Sequence, residues 1–449
     1  MSIEQFASSL DGVKLLRDAA SVRQRSRDFF WYSPVLKRQL NHLSADLVAC
    51  PADQDELAAV LRAAVRHRLP VTARGGGTGN YGQAVPLEGG VVVDLTGLDR
   101  ILWIRDGMMR VEAGCRLIDL DRRLREDGFE LRIFPSTKRT ATIGGFISGG
   151  SGGIGSVTWG GLREPGNVIA ARVLTAEAEP RVLELTGAAT DMINHTYGTT
   201  GIVTELTLPL APATAWRDVA VAFPSLMDAA RFCYEVARNP GIDKKLVTTI
   251  EAGIVASFRG LRELTPDGAS LALLMLAPSG LVAMEEAAGR HGGQIVLERS
   301  ALEAEASADT TPLYEYTWNH TTLQMLKLDR TVTYLQCLFP PSDPLAAVAA
   351  MSETLGPESL THLEFMRIGG GALTCSGLPV IRFSTEERLD AIIRAYEDGG
   401  VTIANPHVFT IEDGGGHKRL PGNQLGFKHE VDPLGLLNPG KMRDYRRPG

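Results

Sequence analysis

Arg74-Gly75-Gly76-Gly77-Thr78-Gly79-Asn80-Tyr81-Gly82 places five glycines in nine residues. That density has little use inside a helix or strand, where glycine loses the most backbone entropy and packs nothing. It suits a segment that exposes backbone N–H groups, and successive N–H groups in a turn form a concave nest for an anion such as a phosphate. The flanks say where the run sits. Residues 53–68 carry Leu57, Val60, Leu61 and Ala64 at helical spacing, residues 69–73 read as a short buried strand, and Gly89-Gly90 lead into an apolar strand at 91–95. The run is therefore expected to connect two strands and not to open the helix of a dinucleotide-binding fold. Taken alone, the segment also reads as an ordinary glycine-rich turn.

Two further glycine-rich stretches follow. Pro135-Ser136-Thr137 precedes Thr142-Ile143-Gly144-Gly145 and Gly149-Gly150-Ser151-Gly152-Gly153-Ile154-Gly155, and Tyr197-Gly198-Thr199-Thr200-Gly201 runs into Ile202-Val203-Thr204. Together the three segments resemble the FAD-binding domain of the vanillyl-alcohol oxidase and p-cresol methylhydroxylase (PCMH) superfamily, and within it the glycolate oxidase and D-lactate dehydrogenase branch. The resemblance rests on RGGGTG at 74–79 with Ala84-Val85-Pro86 behind it, GGVVVDL at 89–95, PST at 135–137, TIGG at 142–145 and GTTGIVTEL at 198–206. It ends with Asp432-Pro433 and Leu437-Asn438-Pro439-Gly440-Lys441.

The fold expected is α+β: a two-subdomain PCMH-type FAD-binding domain over 41–213, a cap of antiparallel sheet plus helices over 214–405, and a segment 406–449 that returns to the first domain. Residues 1–40 read as a helical arm, with Phe29-Phe30-Trp31-Tyr32 packing it onto the body. The cap is read from its own pattern: strands at 219–223, 271–276, 294–297 and 331–338, and helices at 225–239 and 281–292.

FAD needs an anion nest, an apolar slot and polar contacts to its ring edge. The resemblance implies that Arg74, Gly75, Gly76, Gly77, Thr78, Gly79, Asn80 and Tyr81 form the nest. It places Pro135, Ser136, Thr137, Thr142, Gly144, Gly145, Gly149, Ser151, Gly152 and Gly153 along the other side. Ile202 and Val203 are expected to meet adenine through their backbone, and Asn438 and Lys441 to reach the flavin. There Lys441 would supply a cation that stabilises anionic reduced flavin; its alternative is an exposed terminal lysine. Relatives that attach the ring covalently carry a histidine inside the first loop or a cysteine just before the second. Here Thr78 and Thr140 stand at those places, so noncovalent FAD is expected.

Composition agrees with an ordinary globular enzyme. At 449 residues two domains are expected, and 44% hydrophobic with 22% charged residues is typical of such chains. A net charge of -7 with no lysine or arginine cluster gives no reason to expect nucleic acid or an anionic membrane surface. Arg443, Arg446 and Arg447 read as a solvated tail. No leader and no run of 18 apolar residues is visible, so a cytoplasmic protein without a membrane span is expected; homodimer formation is left open. Cys50, Cys115, Cys233, Cys337 and Cys375 are widely spaced, without a CxxC pair, and read as core residues.

The substrate end is the least determined. The branch usually carries a His-x-Gly-Asp-Gly-Asn-x-His segment and a later Glu-His-Gly that hold a divalent metal. This chain lacks the first and has Glu412-Asp413-Gly414 at the second, so no histidine-ligated metal is expected. Oxidising an alcohol requires a base for the hydroxyl proton, a role suited to a neutral histidine. His320, within Glu315-Tyr316-Thr317-Trp318-Asn319-His320, and His407, within Asn405-Pro406-His407, are the candidates, each with a structural alternative. Tyr334 and Gln336 read as polar members of a pocket wall or of a packed sheet face. Arg367 could clamp a substrate carboxylate, or pair with Glu364.

The expected function is an FAD-dependent oxidoreductase that takes a small hydroxy acid or alcohol, with a D-2-hydroxy acid first. Oxygen, a quinone or a carrier protein would be the electron acceptor. A sugar, polyol or aromatic alcohol oxidase, or a flavoprotein subunit of an electron-transfer complex, are the alternatives.

Overall fold

The structure, a computed structural model, describes residues 3–416 and 422–446, so Arg447 lies outside it. The helix Gln54–His67 forms as its sequence dictates. Asp53 accepts the Glu56 N–H at 2.9 Å as N-cap, and Leu57, Val60, Leu61 and Ala64 are buried on one face. It feeds the strand Val71–Arg74, which runs parallel to Val91–Asp94, itself parallel to Leu47–Cys50. Lys14–Leu16 closes this four-stranded sheet as an antiparallel edge. The arm is thus not wholly helical: Lys14-Leu15-Leu16 pairs with Val48, Ala49 and Cys50 at a sheet edge, and the helices Ile3–Ser8, Ala19–Arg25 and Pro34–Leu40 flank it.

A second, antiparallel sheet runs in the order Ile101–Arg105, Met108–Glu112, Ile202–Pro212, Ala170–Leu174 and Val182–Thr186, with Phe129–Leu131 alongside the long strand Ile202–Pro212. The helix Leu117–Glu126 packs beside it, burying Leu117, Leu120 and Leu124. Beyond it lies the cap, an eight-stranded antiparallel sheet with Gln294–Ser300 at one edge and Thr402–Ile403 at the other. The helices Leu226–Arg238, Leu281–Arg290, Pro344–Leu355 and Glu386–Asp398 bury Phe232, Met284, Val348 and Leu389 in the cluster on one of its faces. The opposite face is left for the first half of the molecule.

One expected strand is two. Residues 331–338 divide into Val332–Tyr334, in a small three-stranded sheet, and Cys337–Leu338, in the large one. The chain changes sheets where the Leu335 N–H donates to the Pro379 carbonyl. The alternation of residues does not survive that crossing, so Tyr334 and Gln336 do not share a wall.

Buried charge joins the two halves. Glu130 accepts from Trp216 Nε1 at 2.9 Å and Arg125 at 2.6 Å and pairs with Lys245 of the cap strand Lys244–Ile250. Nearby, Lys138 bridges Asp121 at 2.8 Å and Glu305 at 2.9 Å. Burial pushes the Lys245 ammonium down, against the pull of Glu130 and Asp121. A charge at such depth is stable only while its partner remains. Lys245→Met should therefore cost about 3–5 kcal/mol, read from the midpoint of urea unfolding. Adding Glu130→Gln should recover part of the loss by removing the stranded carboxylate, and a single variant as stable as the parent would show that the network does not hold the halves together.

Candidate functional site

The loop after Val71–Arg74 is shaped by what it touches. A Cβ at Gly76 would collide with the Thr140 carbonyl, and Gly77 sits at φ +64 with a Cβ position filled by the Arg74 guanidinium. The loop can therefore lie flat against the second glycine segment. In doing so it leaves the backbone N–H groups of Gly76, Gly77, Thr78, Gly79 and Asn80 without a hydrogen bond among the described residues. Buried amides are nearly always paired, and five successive open donors at a cavity wall fit an anionic ligand such as the pyrophosphate of FAD.

The cavity they face has a volume of about 630 Å³, inside the range of small-molecule sites, about 300–1,000 Å³. Its walls include Arg74, Gly75, Gly76, Gly77, Thr78, Gly79, Asn80 and Tyr81, with Pro135, Ser136, Thr137, Thr142, Gly144, Gly145, Gly149, Ser151 and Gly152 across from them. Thr142 caps the short helix Ile143–Gly149, accepting the Gly145 N–H. Ile202 and Val203 also line it, at a strand start whose register slips between Val203 and Glu205. The sequence reading thus places most of its cofactor residues on one continuous surface.

Gly153, Asn438 and Lys441 do not line the cavity. Gly153 is pressed against the Phe134 carbonyl, behind the wall. Asn438, at φ 42, donates through Nδ2 to the carbonyls of Gln83 and Tyr197, each at 2.8 Å, and so ties the first loop to the third turn. Lys441 is fully buried and donates to the Gly82 carbonyl at 2.6 Å, with its ammonium 5.1 Å from the centre of the Phe409 ring. It is neither an exposed terminal lysine nor a cation on the cavity surface.

Its charge acts through Asp28, which the sequence reading missed. Asp28 lines the cavity, is 5% exposed, and accepts the N–H groups of Phe30 at 2.9 Å and Ala84 at 3.3 Å. Burial pushes its carboxyl up and the Lys441 ammonium down, while the attraction of each for the other opposes both shifts. Arg74 completes the group, donating to the carbonyl of Arg27 at 2.5 Å. The arm is therefore part of the site, with Phe29 and Tyr32 also in the wall; a lone acid between Arg27 and Phe29 carries no spacing signal that would reveal this.

The cap supplies the remaining wall. Trp318 adopts φ 51, an unusual conformation for a tryptophan, because its N–H is held by buried Glu364 at 2.7 Å. Glu364 is itself fixed by Thr248 and His362 and not by Arg367. Trp318, Asn319 and His320 then face the cavity, and Asn319 reaches Asn80 across it at 3.1 Å. The ring of half-buried His320 makes no hydrogen bond to the described residues. Burial, with a smaller contribution from Lys327, pushes its imidazole down to about 4, so it is neutral at pH 7.

Three other candidates are placed elsewhere. His407 is locked by Ser33 Oγ on Nδ1 at 2.7 Å and the Tyr334 carbonyl on Nε2 at 2.9 Å, away from the cavity. Tyr334 is fully buried beside Tyr32 and His407, and Gln336, which bonds Tyr81, reaches the cavity in its stead. Arg367 alternates out of the wall that Met366 and Ile368 form, and closes its own hairpin by donating to the Gly371 carbonyl at 2.9 Å. Besides Arg74, the cation that lines the cavity among the described residues is Arg163, bonded to the Asn194 carbonyl at 3.0 Å. Its neighbour Glu164 accepts the N–H groups of Gly369 and Gly370, placing Arg163 at the seam between the halves. Among the described residues no cluster of three or more His, Cys, Asp or Glu side chains could hold a metal ion, and no helix is long and apolar enough to cross a membrane.

Comparison with known proteins finds an FAD-binding family and oxidoreductase relatives. Residues 45–184 match the family described as FAD binding domain. The chain is 25% identical over 435 residues to glycolate oxidase subunit GlcD of Bacillus subtilis, covering 90% of each chain. It is 25% identical over 429 residues to a D-lactate dehydrogenase of Anaerostipes hadrus, covering 86% of this chain and 87% of that one. Over 196 residues it is 32% identical to a probable mitochondrial D-2-hydroxyglutarate dehydrogenase of Oryza sativa subsp. indica, a match to 41% of this chain and 34% of the relative. A solved structure of alkyldihydroxyacetonephosphate synthase shares the fold, with a TM-score of 0.72 at 13% identity over 98% of this chain and 85% of that one. The chain carries an FAD binding domain over residues 45–184 and is an FAD-dependent oxidoreductase.

Proposed function

We propose that this protein oxidises a small 2-hydroxy acid, with FAD held noncovalently between the glycine segments and the substrate held under the cap. The observation that carries the reading is the juxtaposition of five open backbone donors at Gly76–Asn80 with a neutral, unengaged His320 on the facing wall of one cavity. The donors would hold the pyrophosphate, and the backbone of Ile202 and Val203 would meet the adenine. Thr78 offers no side chain for a covalent link, so acid denaturation should release the flavin into solution.

The substrate's C–H bond would deliver a hydride to bound FAD, which is the chemistry the cofactor supplies, while His320 takes the hydroxyl proton and an oxo acid is left. Arg163, at the seam of the two halves, is the cation we assign to the carboxylate. The relatives named for glycolate and D-lactate support a hydroxy acid over a sugar or aromatic alcohol. A cytoplasmic location, and reoxidation by oxygen, a quinone or a carrier protein, complete the reading.

The decisive measurement is anaerobic bleaching of the purified yellow protein by a panel of 2-hydroxy acids and simple alcohols. Bleaching by hydroxy acids supports the proposal; a flavin that stays oxidised until a partner subunit is added points to a component of an electron-transfer complex. Gly76→Val should yield folded protein without flavin, because the branched side chain meets the Thr140 backbone, and normal flavin content would remove the loop from the site. His320→Gln should keep its FAD and reduce it about 10²–10⁴-fold more slowly. Since only neutral imidazole accepts the proton, the wild-type rate should be retained above pH 4 and fall as the pH drops through about 4; an unchanged reduction rate in the variant would assign the base elsewhere.

A further inference from the structure

The cap side of the cavity has a chemical character that the glycine segments do not determine. The strand His362–Ile368 pairs with Ala372–Gly377, Met366 opposite Thr374 and Ile368 opposite Ala372, and Leu338 lies opposite Ser376 on the next strand. Alternation puts Leu363 and Phe365 into the core beneath the helices and turns Met366 and Ile368 to the cavity, where Leu338 and Leu378 join them. Among the described residues, the cap contributes no lysine, arginine, aspartate or glutamate to the cavity wall. Glu364, which shares the sheet face of Met366, is 1% exposed and fully engaged by Thr248, His362 and the Trp318 N–H. The polar groups the cap does offer are uncharged at pH 7: Asn319 and His320, adjacent in the chain, with Gln336, Ser376 and Thr402.

A substrate with its hydroxyl at His320 must therefore place its substituent beside an aliphatic surface. We infer that this face receives the substrate's side chain, so that the enzyme takes 2-hydroxy monoacids with uncharged apolar side chains and discriminates against those bearing a second carboxylate. The inference rests on the hydroxy-acid reading above and narrows it. A second carboxylate buried on this face would lose its water without gaining a cation from the cap. An added methylene, by contrast, gains about fourfold in binding from the apolar surface it covers.

The test is stopped-flow flavin reduction of the holoenzyme under anaerobic conditions with both enantiomers of two series. One series is lactate, 2-hydroxybutyrate and 2-hydroxyisocaproate; the other is malate and 2-hydroxyglutarate. The second-order constant is expected to rise along the first series and to be roughly 100-fold lower or less for the dicarboxylates, as an unpaired buried charge requires. Met366→Lys should narrow or invert that preference, chiefly through KM, and Ile368→Arg, at the half-exposed end of the same strand, provides a second variant should the first fail to fold. Dicarboxylates that reduce the wild-type flavin at least as fast as the apolar series overturn the inference and leave the hydroxy-acid reading standing. A flavin reduced by neither series overturns both.

Discussion

Five consecutive amides at Gly76–Asn80 that bond to none of the described residues set the terms for the rest of the molecule. A backbone donor shielded from water and left unpaired costs about 1–3 kcal/mol, so a loop of this kind is tolerable only beside solvent or a ligand that accepts from it. The surroundings keep it from collapsing onto itself. Arg74 anchors its start to the arm, Asn80 reaches the cap through Asn319, and Asn438 fixes Gln83 just beyond its end. Each tether comes from a different part of the sequence, and together they hold a donor row in a geometry the row itself does not favour.

The features that could be read from sequence are those in which local chemistry and tertiary role coincide. Glycine runs are legible because only glycine permits such close backbone approach, and the Gln54–His67 helix is legible because its cap and its apolar face lie within one segment. What escaped reading depends on long-range contact. Asp28 gains its meaning from Ala84, Arg74 and Lys441. His407 resembles an active-site imidazole until Ser33 and the Tyr334 carbonyl are seen to occupy both its nitrogens. Arg367 failed for a simpler reason: in a strand, adjacent residues point to opposite sides, and Met366 and Ile368 took the side that counts. The strand at 331–338 shows the limit of alternation itself, which cannot register a chain that passes from one sheet to another.

The two halves make unequal demands on their sequences. The nest works largely through backbone and so tolerates few residue types, whereas the cap face works through side chains borne on a regular sheet. Exchange of Leu338, Met366 or Ile368 leaves the strand pairing untouched. The buried ion pairs at Glu130–Lys245 and Lys138–Glu305 hold the cap to the first half independently of what lines the cavity. Recognition can therefore vary while cofactor binding and assembly stay fixed.

The Asn438 clamp joins positions separated by 355 residues along the chain, and Val71 receives Leu437 as a parallel bridge on the same sheet. On the ribosome, the first glycine loop emerges long before the segment that braces it. The early loop must wait as an open, solvated turn through synthesis of the whole cap, and a polypeptide interrupted before Leu437 has every glycine of the nest without the brace. The contacts that tie the first loop to the third turn are thereby completed only when the last segment of the chain has been made.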